Sequence, residues 1–459
     1  MGVSVRALLG GVVGGLALAA CARGRCEEPP RDAPACVARP AEPAVAPPLA
    51  LPPGCTRLTD GTGARVSDDG RLVAFARWRT ILGQRVPPEA REYYGGLGAE
   101  PLVPELAVLD VETGVSWAVP GWAPALAGEP VRNGSRLPVG WTPRGSLVLS
   151  DGTLLDPRQG TPSSREARPP PEALAGLADG EGAASWAWTA DGARVAFLAQ
   201  RTDVNPTVRG EMRRRGVFVA DGTSAPRRVV LRDPATGRPF DDVAERAYLM
   251  EAHLAWSSDG ARLFLRLEHG GMDDRGPDRF ERVACYDVAQ ARTIACTTYP
   301  HLERAPDQRS GCGVWDAAGR RFVYLGAFAD AAPDFGRPWV GRLDVCVGDA
   351  RDGTVRRVTT DGVEKGRPCL DPRGTRVAFL VGTGAGRARR VYDDERTPLR
   401  LRVVELDGGG VWEEATAPSV EPDPWVSTLQ WTADGTALLY GYGGVEGGIY
   451  RQTVPSLAR

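Results

Sequence analysis

Lysine is almost missing from this chain. Lys365 stands alone among 56 basic residues, so any amine-based mechanism has a single candidate. Histidine is nearly as scarce: His253, His269 and His301 are the three imidazoles, and none has an assignable partner for general-base work. No Gly-x-Ser-x-Gly elbow occurs, which removes one common hydrolase arrangement. No CxxC pair or Cys/His spacing suits zinc. Long apolar runs are missing too. The stretch Ala7 to Ala20 is too short to span a bilayer comfortably. A formal net charge of −2 gives no electrostatic reason to bind nucleic acid or anionic lipid.

The short apolar run instead has the length of a signal peptide, with Arg6 ahead of it. It ends Leu18-Ala19-Ala20-Cys21, which resembles a bacterial lipobox. That resemblance implies cleavage before Cys21 and acylation of its thiol. Ala22, not Asp, follows; by the same resemblance this favours the outer membrane. Residues 1–20 are thus expected to be a lipoprotein signal. Residues 21–54, rich in Pro and Ala without periodicity, are expected to form a tether.

Export places the other eight cysteines in an oxidising compartment, where disulfides persist. Eight cysteines allow about 105 pairings, so spacing alone leaves the connectivity open. Cys285–Cys296 is the favoured local pair because a hairpin separates them, and Cys26–Cys36 can close a small loop.

What the chain has in plenty is glycine and proline, 57 and 39 residues, which suits many turns and few helices. The glycines fall in a repeated pattern. Trp188-Thr189-Ala190-Asp191-Gly192 followed by Arg194-Val195-Ala196-Phe197-Leu198 reads as strand, tight turn, strand. Related hairpins centre on Gly70, Gly145, Gly260, Gly319, Gly374 and Gly435, spaced 47 to 75 residues apart. Five of the seven carry Trp four residues before the glycine. A second strand pair follows each hairpin, such as Leu106–Asp110 with Val115–Val119, or Leu401–Glu405 with Val411–Glu414. Four antiparallel strands repeated about seven times predict an all-β, seven-bladed β-propeller over residues 55–459. The last unit stops after its third strand, Gly448–Val454, and an orphan strand, Cys55–Thr59, precedes the first. Their pairing is expected to complete the seventh blade and remove two open edges.

Trp-Ser/Thr-x-Asp-Gly, an apolar strand and a short x-Val-x-Asp strand together resemble the propeller repeats of TolB. Similar repeats occur in the propeller domains of prolyl oligopeptidases. The resemblance covers Cys55 to Val454 and concerns the fold. TolB also has an N-terminal α/β domain, where this chain has the tether.

Antiparallel order puts the short Asp-Gly turns at one end of the blades. The long segments Arg79–Glu105, Arg201–Arg215, Glu268–Glu281, Ala327–Val340, Gly382–Pro398, Thr161–Ala184 and Arg232–His253 gather at the other. That loop-rich rim is the expected binding surface. Arg213, Arg214, Arg215, Asp273, Asp274, Asp278 and His253 are its candidate contacts, and Trp122, Tyr93 and Tyr94 its candidate stacking faces. Gly382–Arg387 lacks the spacing of a phosphate loop, and Met272–Asp278 lacks EF-hand periodicity. Asp69, Asp191, Asp259 and Asp434 are expected to cap turns. No cofactor or metal is expected.

The sequence therefore reads as a monomeric, lipid-anchored propeller on the periplasmic face of the outer membrane of a Gram-negative bacterium. Its expected work is protein or envelope binding, without enzymatic activity. A glycan or small-ligand sensor is the alternative, then a channel-mouth lyase or hydrolase.

Overall fold

The Asp-Gly hairpins close through local side-chain chemistry, and the whole architecture grows from them. In the third unit, Thr189 Oγ1 donates to Asp191 Oδ1 at 2.6 Å, and the same carboxylate accepts from Ala193 N at 2.9 Å. Arg194 N returns a bond to Thr189 Oγ1 at 3.0 Å. Ser67 with Asp69, Ser257 with Asp259 and Thr432 with Asp434 repeat the arrangement. The four aspartates do cap turns, as expected. Where the unit has Asp in place of Ser or Thr, one residue does both jobs: Asp316 Oδ1 accepts from Arg320 N and Arg321 N, and Asp371 Oδ1 from Thr375 N and Arg376 N.

The structure is a computed structural model and describes residues 50–457. Segments 81–101, 121–137, 164–173, 202–215, 241–246, 272–279, 301–313, 328–342, 383–398 and 418–425, with a few shorter ones, lie outside the described residues. Every named element is a strand, and the strands form seven small antiparallel sheets among the described residues.

Sheet one holds Thr62–Val66, Leu72–Thr80, Leu102–Asp110 and Ser116–Ala118. Sheet two is the smallest, with Pro138–Trp141, Leu147–Leu149, Leu154–Leu155 and Pro162–Ser163. Sheet three has Glu181–Trp188, Arg194–Arg201, Gly216–Asp221 and Arg227–Arg228. Sheet four is the longest, with Ala247–Trp256, Arg262–Gly271, Phe280–Asp287 and Arg292–Pro300. Sheet five has Arg321–Ala327, Leu343–Asp349 and Val355–Arg357, and its first strand is reduced to a bridge from Trp315 to Phe322. Sheet six holds Lys365–Leu370, Arg376–Val381, Arg400–Glu405 and Val411–Ala415. Sheet seven joins Val426–Trp431, Ala437–Tyr442 and Gly448–Thr453 to the N-terminal strand Cys55–Asp60. That last pairing sets Cys55 opposite Gln452 and Asp60 opposite Gly448.

Neighbouring sheets pack against one another from sheet three round to sheet seven, and from seven through one to two, and three stitches recur between them. First, the tryptophan of one sheet reaches back to its predecessor. Trp141 Nε1 donates to Arg65 O, Trp256 to Ala187 O, Trp315 to Ala255 O and Trp431 to Cys369 O, at 2.9 to 3.3 Å. These indoles span the gap between sheets. Trp188 differs: its buried Nε1 has no hydrogen-bond partner among the described residues. Second, an arginine opening the second strand reaches forward to the next glycine carbonyl. Arg194 meets Gly260 O, Arg262 meets Gly319 O and Arg321 meets Gly374 O, at 2.7 to 3.0 Å. Third, the turn glycine presses on the preceding sheet. Gly319 has φ +62, and a Cβ there would lie 2.8 Å from Ser257 Cβ. Gly70 has φ +68, and its Cβ would lie 2.4 Å from Trp431 O of sheet seven.

The expected Cys285–Cys296 disulfide is not formed. Register sets Cys285 opposite Ala295 and Cys296 opposite Ala284, with a bulge following Cys285. Side chains one position apart point to opposite faces of a sheet. Cys285 accordingly packs with Phe264, Tyr324 and Val345 towards sheet five, and Cys296 against the cluster of Leu265 and Val219 towards sheet three. Cys21, Cys26, Cys36 and Cys312 lie outside the described residues.

If the indole stitch carries weight, Trp256→Phe should lower unfolding free energy by about 1 kcal/mol beyond its lost area. Trp188→Phe, with no indole bond to lose among the described residues, should cost less. Urea denaturation of the two variants compares them directly, and equal losses would remove the stitch from the account.

Candidate functional site

Strand direction gives the sheets two unlike ends. The second strand of each sheet runs away from its Asp-Gly turn, and the third runs back toward it. Both ends of each long segment are therefore held at one end, as the sequence predicts. Arg213, Arg214, Arg215, Asp273, Asp274 and Asp278, and the aromatic Tyr93, Tyr94 and Trp122, all fall outside the described residues. The strands beneath them are described.

The interior of those strands is more polar than the sequence suggests. Each of six first strands, in sheets one, two, three, four, six and seven, has a register shift ahead of its tryptophan position. An extra residue there bends the strand and re-aims side chains. In sheet six the bulge holds Arg367, buried at 8% exposure and with φ of 48°. Pro368 follows it and has no N–H for the ladder, so a bulge is where this strand can accept it.

Next to that bulge lies the densest charge network described. Lys365 is fully buried, and its Nζ donates to Asp344 Oδ1 at 3.1 Å and to Val363 O at 2.8 Å. Asp361 Oδ1 is 2.5 Å away. Asp344, also fully buried, accepts from Arg357 Nε at 2.8 Å and from Thr359 Oγ1 at 2.9 Å. Arg402 pairs with Asp361 and, at 2.6 Å, with Glu413. Burial opposes ionisation of Asp361, yet hydrogen bonds from Lys365 and Arg402 outweigh it and hold its carboxyl below the usual range. The network ties sheet five to sheet six. Beside it opens a cleft of about 480 Å³ lined by Arg356, Arg357, Asp361, Arg402, Val404 and Val411, among others.

His253 is placed by the structure inside sheet four, not on the rim. It sits in the first strand opposite Arg266, edge-on to Phe264 at 6.2 Å. Its Nε2 is buried without a hydrogen-bond partner among the described residues. Burial, and then the charge of Arg266, push its pKa down to about 4. Arg266 itself is held by Glu281 at 2.9 and 3.2 Å. His269 stacks on Phe280 at 4.5 Å, and burial with nearby Arg282 lowers its pKa to about 3. Arg282 lies between the rings of Phe240 and Phe280, 4.0 and 5.0 Å from their centroids. These neutral imidazoles and stacked rings fasten the loop-rich end of sheet four.

Burial raises the thiols of Cys285 and Cys346 to about 12, far from a reactive thiolate. Among the described residues no group of three His, Cys, Asp or Glu side chains is placed to hold a metal ion. The buried network around Lys365 escaped the sequence reading. A lone lysine in an arginine-rich chain, two residues ahead of Arg-Pro, was its one visible trace.

Three solved structures show the range of the likeness. A putative TolB from Agrobacterium tumefaciens is 17% identical at a TM-score of 0.35, over 76% of this chain and 97% of that one. The β-propeller domain of the trilobed protease from Pyrococcus furiosus is 11% identical at 0.35, over 87% and 83%. An oligogalacturonate lyase from Vibrio parahaemolyticus is 11% identical at 0.45, over 89% and 96%. No family model and no curated protein matches. Identity and TM-score this low leave activity, substrate and partner to the chain's own residues.

Both histidines make stability depend on pH. An unfolded histidine binds its proton near pH 6.5, and these two do so only near 4 and 3 when folded. The unfolded chain thus holds more protons in that window, so stability should fall as pH drops from about 6.5 toward 3. A His253→Gln, His269→Phe variant should flatten the fall in melting temperature, and an unchanged slope would refute this origin. Lys365→Met should cost roughly 3 kcal/mol by leaving Asp344 short of a partner. A loss under 1 kcal/mol in urea would show the network to be dispensable.

Proposed function

We propose that this chain is a closed, seven-bladed β-propeller of the TolB-like type, attached to a membrane by lipid on Cys21, that binds an envelope partner through its loop-rich face. The unlike ends of the sheets carry the reading. Tight capped turns fill one end, while the strand ends that hold the long connecting segments lie at the other.

Closure is supported by the seam between sheets seven and one. Gly70 presses on Trp431 O as Gly319 presses on Ser257, so the first sheet follows the last as any sheet follows its predecessor. A ring of this kind fixes the strand ends on which the long segments are mounted, which lowers the entropy cost of docking a partner. Lipid at Cys21 raises the concentration of that rim near other envelope components. The reading is non-enzymatic and places the body on the periplasmic face of the outer membrane.

Two measurements test the parts separately. Cys21→Ala should shift the protein from the membrane fraction to the soluble one, and full retention would refute the lipid anchor. Crosslinking in intact cells should capture a specific envelope protein with the native chain, but not after residues 81–101 and 383–398 are shortened. Capture that survives both deletions would move the binding surface elsewhere.

A further inference from the structure

The cleft of about 480 Å³ beside the Lys365 network runs along the outer strand of sheet five and the last two strands of sheet six. Its two walls differ. On sheet six, Val404 and Val411 are cross-strand partners, and Val411 is 59% exposed. Sheet five supplies the other wall, and its outer strand Val355–Arg357 is paired on its inner side alone among the described residues. Asp349 N donates to Thr354 O and Val358 N to Val345 O, so residues 354, 356 and 358 bond inward. By antiparallel alternation Val355, Arg357 and Thr359 turn their backbone N–H and C=O groups outward. The side chains of Arg357 and Thr359 are committed to Asp344, so it is main chain that these two bring to the cleft.

Charge in the cleft is unevenly committed. Arg402 is held by Asp361 and Glu413, and Asp361 by Lys365 as well. Glu405, one residue past Val404, turns to the opposite face of its strand. Arg356 differs. Its Nη2 crosses the cleft to donate to Leu406 O at 2.5 Å, and no carboxylate pairs with it among the described residues.

We propose that this cleft takes an extended peptide segment of a partner protein, added as a strand to the outer edge of sheet five, with a carboxylate side chain two residues from an aliphatic one. Alternate residues of a strand share a face, so the carboxylate lies beside Arg356 while the aliphatic group covers Val411. Other sheets also end in an open outer strand; here the edge borders a cleft that holds both an uncommitted guanidinium and an uncovered valine. The site is independent of the loop-rich end and of lipid at Cys21.

Blocked, fluorescein-labelled hexapeptides with one aspartate and one valine among threonines test this by fluorescence polarisation with the full chain. The pair is set one, two or three residues apart. Spacing two should bind about fivefold more tightly than one or three, which send the side chains to opposite faces. Equal affinity at all spacings, or no saturable binding up to about 1 mM, would overturn the proposal. Arg356→Gln should weaken the spacing-two peptide about tenfold and leave its asparagine analogue unchanged. Equal weakening of the two would remove the charge pairing and the proposal with it. Val411→Asp should weaken both peptides, and unchanged binding would likewise count against the site. Both positions are exposed, so the melting temperature of each variant should match the native chain. A concentration-dependent dimer that Arg356→Gln dissolves would make a second copy the occupant and overturn the assignment to a partner's segment.

Discussion

Lack of room for a Cβ at the seams between sheets governs this structure. At Gly70, Gly319 and Gly374 a side-chain carbon would sit within 3 Å of the sheet before it. The turn can therefore approach its neighbour only as glycine, and it must also turn with positive φ. Close approach is what brings the indoles and guanidinium groups within reach of the carbonyls they bond. Between those bonds the apolar strands close on one another: Phe75, Phe197, Phe264, Phe322 and Phe379, one in each of five sheets, are almost completely buried. At these three seams, hairpin and core meet through that one contact.

This explains how much of the fold could be read from the chain. A Ser/Thr-x-Asp-Gly turn is self-contained, since every bond that closes it lies within six residues, and so it is visible in sequence. The second strand pair of each unit was legible for a similar reason. Even the pairing of Cys55–Thr59 with the last unit was foreseeable, because two unmatched strands with complementary needs stood at opposite ends. Sheet two is the smallest in structure, with third and fourth strands of two residues each.

What escaped was whatever depended on strand register. Cys285 and Cys296 flank a good hairpin, yet a shift of one residue sends their thiols to opposite faces. His253 looked like a rim residue because it follows a long connection, and six residues of bulged strand precede it in the folded chain. The partners of Lys365 come from a third strand, an inter-sheet link and the carbonyl of Val363, positions no local pattern joins. The polar interior at the loop-rich end is a product of packing between units, and single-unit reasoning had no view of it. Of the candidate contacts only His253 falls on described residues, and it stiffens the scaffold instead of meeting solvent.

The N-terminal strand has one more consequence, which concerns time. Gln452 and Pro53 meet across 399 residues of sequence, so the strand that is made first is among the last to find its place. Until Gly448–Thr453 arrives, Cys55–Asp60 has no edge to join, and the seventh sheet lacks its last two strands. The intermediate sheets can assemble in sequence as neighbours, each by short-range contacts, but the seventh sheet cannot be completed until Gly448–Thr453 has been made. A chain cut short near its C-terminus would hold nearly all of the fold and lack the one pairing that finishes it. Such a product would be sticky at both ends, prone to join other unfinished copies edge to edge.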